Sequence, residues 1–281
     1  NRVEVLDTGP VTMLGRNGRV TLSPFAKGIF RVYIQGKREH LAWARDNSWT
    51  VDLSSADNQG WRFTGTRAAP RFSCKLGDGS QASVEADPAD GTVSFRILDD
   101  YVLTDATAPQ VTGAWILLKK RLDTQGAVSI FGFGENALPM DKAGAKVFMW
   151  NTAPFIRGPG GGGLYQSWPV AILLREDGVA MGLVVDTPSY STFSFSKNGK
   201  GADYAAKNTE LNYFVLLGPH LSDIVRQLAR LTGTISPLPK WVLGYHQSRW
   251  SYTPSDRVRE VAAEFRERDI PCDAINLDID Y

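Results

Sequence analysis

Trp241-Val-Leu-Gly-Tyr-His-Gln-Ser-Arg-Trp250 and Asp273-Ala-Ile-Asn-Leu-Asp-Ile-Asp-Tyr281 are the two segments that decide the fold. Each reads as a strand. Between them, Ser255 to Asp269 carries Val258, Val261, Ala262 and Phe265 at the spacing of one helix face, with Ser255 as the expected N-cap. Glu264 and Arg268 are placed to pair one turn apart on the outer side. Two strands joined by such a helix make a right-handed βαβ unit. A parallel pair needs neighbours on both edges, so the unit is expected to belong to a larger assembly. In βα-repeat folds ligands sit at the carboxyl ends of strands. Those ends carry Gln247, Arg249 and Trp250 on the first strand and Asp278 and Asp280 on the second, groups suited to a polyol.

Upstream the texture is different. Arg19–Leu22, Ile29–Ile34 and Thr92–Ile97 alternate or nearly alternate apolar and polar residues, as half-buried strands do. Further strand-sized runs are Ala114–Leu118, Val170–Leu174, Ala180–Val185 and Leu211–Leu217, with turn signals at Asn17-Gly18, Asp78-Gly79 and Asp90-Gly91. Many short strands at close spacing predict a β-sandwich. Ser222 is the expected cap of a helix whose apolar residues are Ile224, Val225, Leu228 and Leu231, ending at Gly233. Pro237 and Pro239 then read as a linker. The expected division is a sandwich over 1–236 and the start of a βα domain over 237–281.

Composition narrows the partners. Lys and Arg number 31 against 30 Asp and Glu, which gives no reason to expect a nucleic acid or other polyanion. No stretch approaches the roughly 18 uninterrupted apolar residues of a membrane span, so no membrane partner is expected. Cys74 and Cys272 form no metal-ligand spacing, and Cys272, between Pro271 and an apolar strand, reads as a buried small hydrophobe. With only two cysteines the compartment stays open. The patch Gly158-Pro-Gly-Gly-Gly-Gly163 lacks the Gly-Lys-Ser/Thr and following helix of a phosphate loop and reads as a flexible loop. His246 is expected to be a strand histidine satisfied by the backbone, because His40 and His220 build no ligand cluster with it. No metal and no cofactor is expected.

Asp278 and Asp280, two apart on a strand, point to one face, and Ile275, Leu277 and Ile279 take the other. Such a pair suits a site for cations or hydroxyls, a partnership with a base such as Arg249, or a structural ion pair. Further short motifs precede it: Phe131-Gly-Phe-Gly-Glu135, Trp150-Asn151, Tyr165-Gln-Ser-Trp-Pro169, and Leu231-Thr-Gly233 with Pro237-Leu-Pro239. After these come Trp241–Trp250 with Tyr252, then Ile270-Pro-Cys-Asp273 and Asp278-Ile-Asp-Tyr281. In this order they resemble glycoside hydrolase family 31, the retaining α-glucosidases and α-xylosidases.

The resemblance covers about residues 130–281. It implies a galactose-mutarotase-like β-sandwich packed on a catalytic (β/α)8 barrel, of which this sequence holds the first βαβ unit. It implies retention through two carboxylates, one nucleophile and one acid/base. By the same resemblance Asp278 hydrogen-bonds sugar hydroxyls in the −1 subsite, Ile279 and Trp250 line that pocket, and Arg249 and Asp280 support it. Many members carry an Asp two residues after the Trp-Asn pair; here Ala153 stands there, which bears on acceptor specificity. The family's nucleophile and acid/base lie on later barrel strands, so neither is expected within these residues, and the rest of the barrel is expected as a companion chain or continuation. The implied activity is hydrolysis of terminal α-linked glucose from short oligosaccharides. Alternatives are an α-xylosidase, an α-glucosyltransferase, or a carbohydrate-binding sandwich without chemistry. Two βα strands with open edges argue against the last.

Overall fold

The computed structural model describes residues 9–15, 18–36, 51, 56–57, 60–66, 68–89, 91–98, 100–105, 109–112, 114–123, 127–153 and 163–278. Asn17, Asp90, most of the glycine patch, Ile279, Asp280 and Tyr281 lie outside them. The chain divides into two compact units, Asn1–Gly233 and Thr234–Tyr281.

In chain order the strands of the first unit are β1 (Val11–Gly15), β2 (Gly18–Ala26), β3 (Ile29–Gly36), β4 (Trp61–Phe63), β5 (Arg71–Lys75), β6 (Gln81–Asp87), β7 (Thr92–Ile97), β8 (Tyr101–Asp105) and β9 (Gln110–Thr112). They continue with β10 (Trp115–Asp123), β11 (Val128–Asn136), β12 (Lys146–Met149), β13 (Gly163–Arg175), β14 (Ala180–Val185), β15 (Ser191–Phe195), β16 (Gly201–Ala206) and β17 (Glu210–Gly218). Helix α1 (Leu221–Thr232) closes the unit.

One sheet runs β1-β2-β3-β17-β14-β13-β11; the other runs β12-β15-β16-β10-β8-β7-β6-β5-β4, with β9 also on β10. Apolar side chains fill the space between them, among them Phe30, Phe72, Phe95, Phe133, Phe193 and Tyr213. Phe30 meets Trp61, Phe72 and Phe95 edge to face, the favoured aromatic geometry. The expected β-sandwich is therefore present.

β17 is buried along its whole length because it is covered on both sides. Tyr213, Val215 and Leu217 belong to the inter-sheet core, while Phe214 and Leu216 join Ile224 and Leu231 of α1 on the outer face. That is why its sequence is a continuous apolar run instead of an alternation. Two expectations for α1 change. Ser222 is not the cap, since the helix already starts at Leu221 after an extended His220 and makes no side-chain capping bond. Val225 points outward, 54% exposed, because it lies about 100° round the helix from Ile224. Asp223 places a negative charge in the first turn, where the helix dipole favours one, and pairs with Arg226.

The second unit holds a 3-10 turn at Lys240–Leu243, strand β18 (His246–Ser248), helix α2 (Ser255–Glu267) and strand β19 (Ala274–Asn276). β18 and β19 pair in parallel, so the expected βαβ unit is formed. Both strands are shorter than their sequences suggest. Trp241–Leu243 coils directly after Pro239, and only three residues of each strand find a partner. Ser255 is the first helical residue and Pro254 takes the cap position, without a side-chain capping bond. The Glu264–Arg268 pair forms at 3.5 Å. Val258, Val261 and Phe265 are half-buried, but Ala262 is exposed. Among the described residues of this unit only Tyr252 and Cys272 are buried. Such a unit has no core of its own, as its size leads one to expect.

Candidate functional site

The parallel ladder ends with Ser248 opposite Asn276. Two residues beyond the carboxyl ends of these strands, in the segments that follow them, lie Trp250 and Asp278. Trp250 is 75% exposed and Asp278 is half-buried. Ile279 and Asp280 lie outside the described residues.

The start of the ladder is set by Gly244. A Cβ there would run into the Asp273 carboxylate, and Asp273 N–H donates to the Tyr245 carbonyl at 2.9 Å. The strand-end side chains are tied together beyond it. Gln247 Nε2 donates to Tyr252 Oη at 2.9 Å, and Gln247 Oε1 accepts from Tyr245 Oη at 2.6 Å. Arg249 donates from Nε and Nη2 to the Ser251 carbonyl and lies 5.0 Å from the Tyr252 ring centre. Gln247 and Arg249 thus bond to Tyr245, Tyr252 and Ser251, on either side of Trp250 in the chain. His246 differs from expectation: its ring stacks on Trp241, and its Nε2 is buried without a hydrogen-bond partner among the described residues. Cys74 and Cys272 are free thiols, and burial pushes the Cys74 thiol pKa up.

The sandwich motifs converge at one end of their own unit. Phe131-Gly-Phe-Gly-Glu135 lies in β11, and its partners in β13 are the Tyr165–Pro169 motif: Phe133 faces Trp168 and Gly134 faces Ser167. Gly132, Phe133 and Gly134 all have positive φ, and the ladder is bulged between Gly132 and Phe133. A Cβ on Gly134 would lie 2.5 Å from Trp168 Cδ1, so the indole sits directly on that glycine. Glu135 accepts the Tyr165 N–H at 3.0 Å. The Trp150-Asn151 segment joins the same place through Thr152, whose N–H donates to the Leu164 carbonyl at 2.8 Å. Ala153 is exposed beside it. The motif glycines lie inside a strand pair. Among the described residues there is no group of three His, Cys, Asp or Glu placed to hold a metal ion.

A family model described as "Glycosyl hydrolase 31 N-terminal galactose mutarotase-like domain" matches residues 19–194. The chain belongs to glycoside hydrolase family 31. A second model of the family, its TIM-barrel domain, matches residues 235–281. Alpha-glucosidase 2 of Bacillus thermoamyloliquefaciens is 41% identical over 152 residues, covering 54% of this chain and 19% of the relative. An alpha-xylosidase of Saccharolobus solfataricus is 36% identical over 100 residues, covering 36% of this chain and 14% of the relative. Among solved structures, the family 31 dextranase of Flavobacterium johnsoniae in complex with isomaltotriose superposes with a TM-score of 0.75 at 22% identity. That match covers 94% of this chain and 32% of the dextranase, and establishes the shared fold. The matches therefore span about a seventh to a third of the length of these family members. Their names cover glucosidase, xylosidase and dextranase, so membership fixes a glycosidase family without fixing the sugar.

Proposed function

We propose that this chain forms the sandwich and the first barrel strands of a retaining α-glycosidase, an α-glucosidase that releases terminal α-linked glucose from short oligosaccharides. The observation that supports this reading is the parallel pairing of two short strands, each followed two residues later by one of these groups, Trp250 after Ser248 and Asp278 after Asn276. Asp278 accepts hydrogen bonds from sugar hydroxyls, and Trp250 and Ile279 line the same pocket. A carboxylate acceptor selects for those hydroxyls, because a substrate lacking them leaves it unpaired. Asp280 and Arg249 stabilise the strand ends.

The bond-breaking pair comes from later barrel strands, as a companion chain or a continuation. Retaining glycosidases need a nucleophile and an acid/base about 5–5.5 Å apart on either side of the scissile bond. Residues two apart in an extended segment point the same way, so the sequence spacing of Asp278 and Asp280 does not suit them to flank a bond in that way. An α-xylosidase or α-glucosyltransferase is the second reading, supported by Ala153, which leaves the Trp150-Asn151 loop without the carboxylate many α-glucosidases carry there.

The test uses an enzyme with the complete barrel, assayed on aryl α-glucoside and aryl α-xyloside with wild-type Asp278 and with Asp278→Asn. The reading expects preferred turnover of the glucoside and a fall in kcat/KM of about a hundredfold in the variant. Unchanged kcat/KM would remove Asp278 from the sugar site, and preference for the xyloside would select the second reading.

A further inference from the structure

At one end of the ten-stranded sheet, three aromatic residues stand in a row. Met149, Ser191, Ala206 and Ile116 occupy successive positions across β12, β15, β16 and β10. The residues that flank this row at Met149, Ser191 and Ile116 are Trp150, Tyr190 and Trp115. The Trp150 and Tyr190 ring centres are 6.2 Å apart, and those of Tyr190 and Trp115 are 6.1 Å apart with perpendicular planes. An edge-to-face contact cannot cover both faces of both rings. Trp150 remains 52% exposed and Trp115 37% exposed.

Beside Trp150 opens a cleft of about 340 Å³, at the lower end of the usual range for small-ligand sites. Its polar lining is Asn151, Ser167, Thr187 and Ser189, and none of its described lining residues is charged. Ser167 Oγ is buried without a hydrogen-bond partner among the described residues. The segment joining β14 to β15, which carries Thr187, Ser189 and Tyr190, is held firmly. Asn212, almost fully buried, donates from Nδ2 to Asp186 Oδ2 at 2.9 Å and accepts from Arg31 Nε at 2.9 Å. Ser189 N–H donates to Thr187 Oγ1, and the Tyr190 carbonyl accepts from Lys207 N–H.

We infer that Trp150, Tyr190 and Trp115 form a ledge on the sandwich that binds a neutral oligosaccharide of several pyranose units, with one unit entering the cleft at Asn151. Aromatic faces suit the C–H face of a pyranose, while the hydroxyl and amide groups of the cleft match its hydroxyls in either hydrogen-bonding role. The uncharged lining selects a neutral sugar over a phosphorylated or uronic one. A row of rings, in place of one, selects for chain length. The inference deepens the proposed function by adding a length preference, and rests on it only for the choice of a sugar as ligand.

The experiment titrates the 281-residue chain with glucose, maltopentaose and isomaltopentaose, following tryptophan fluorescence and heat of binding. Each pentasaccharide should bind more tightly than glucose. Trp115→Ala and Tyr190→Leu should each weaken pentasaccharide binding by about two- to tenfold, the worth of one aromatic contact, without affecting glucose. Asp278→Asn should leave that length dependence in place, so loss of the glucose site and loss of the ledge are separate results. Equal affinity for glucose and pentasaccharides, or pentasaccharide affinity unchanged in both variants, would overturn the ledge. So would unchanged sugar affinity together with a lower Tm for a barrel-complete enzyme carrying Trp115→Ala, because the face would then be a protein contact.

Discussion

Gly134→Ala isolates the contact on which the Phe131–Glu135 motif depends. Two costs are expected. The first is conformational: Gly134 has φ +71°, a region where a Cβ costs about 1–2 kcal/mol. The second is steric. The new Cβ would lie 2.5 Å from Trp168 Cδ1, 2.8 Å from the Gln166 carbonyl oxygen and 3.0 Å from Trp168 N. Two of these neighbours are backbone atoms in a paired strand, so they give way poorly, and overpacking of this kind costs about 1–3 kcal/mol. The expected total is about 2–5 kcal/mol. Gly178→Ala separates the terms, because Gly178 has φ +90° with nothing within 4 Å of the added Cβ. It should show the conformational cost alone, about 1–2 kcal/mol. Urea unfolding of the three proteins measures both, provided the m-value stays constant. The indole rotation should also alter Trp168 emission in Gly134→Ala and leave it unchanged in Gly178→Ala. Equal destabilisation by the two substitutions would refute the claim that Trp168 is seated on Gly134.

Ile224→Ala should destabilise the first unit by about 2–5 kcal/mol, since the side chain is fully buried between α1 and β17; denaturant titration checks this. Gly244→Ala should disrupt the β18–β19 pairing by displacing Asp273, seen as faster amide exchange at the Ala274 N–H that donates to Tyr245. Arg175 holds Asp177 through two bonds of 2.8 and 2.7 Å, and these bonds keep the Asp177 carboxyl below its ordinary pKa. A depressed carboxylate stabilises the fold above its unfolded pKa, and that contribution is lost as pH falls through the lower folded value. Asp177→Asn should therefore flatten the acid limb of the stability curve below about pH 4 while leaving its slope near neutrality unchanged.

The sandwich was legible where one sheet face is wet and the other dry. β7, and β2 as far as Ser23, alternate because each half-covers the core, whereas β3 buries residues on both faces. β13 was legible only in part. Val170–Leu174 reads as a strand, but Pro169 hides the fact that the same strand begins at Gly163. The ladder shows why a proline is tolerated: pairing jumps from Gly132–Ala171 to Phe133–Trp168, so Pro169 falls in the bulge, where its missing N–H costs no ladder bond. In the second unit the order of elements was legible from the helical period of Val258–Phe265, but the strand lengths were not. A strand extends as far as its neighbours pair with it, which Trp241–Trp250 alone does not disclose. Cleft residues such as Thr187 and Ser189 carry no motif, because the buried Asn212–Asp186 bond that positions them joins distant parts of the chain.

The motifs that mark the family fall into two physical kinds. Those of the sandwich are dominated by backbone requirements: Gly132 and Gly134 each leave no room for a Cβ, against Val170 O and Trp168 respectively. Phe133, between these glycines, takes φ +74° and reaches the core with no exposure, in contact with Phe193 and Phe195. A β-branched or larger residue at these glycines should cost folding before it alters sugar recognition. The strand-end residues of the second unit are of the other kind. Trp250 is largely exposed and lies at the open end of a short parallel ladder. Its replacement by Ala removes little buried surface, so a loss of sugar affinity should appear with little change in Tm. Measured together, the two sets of variants should separate along stability and binding axes. A glycine variant of full stability with lost binding, or a Trp250→Ala protein with intact binding and a large drop in Tm, would contradict that division.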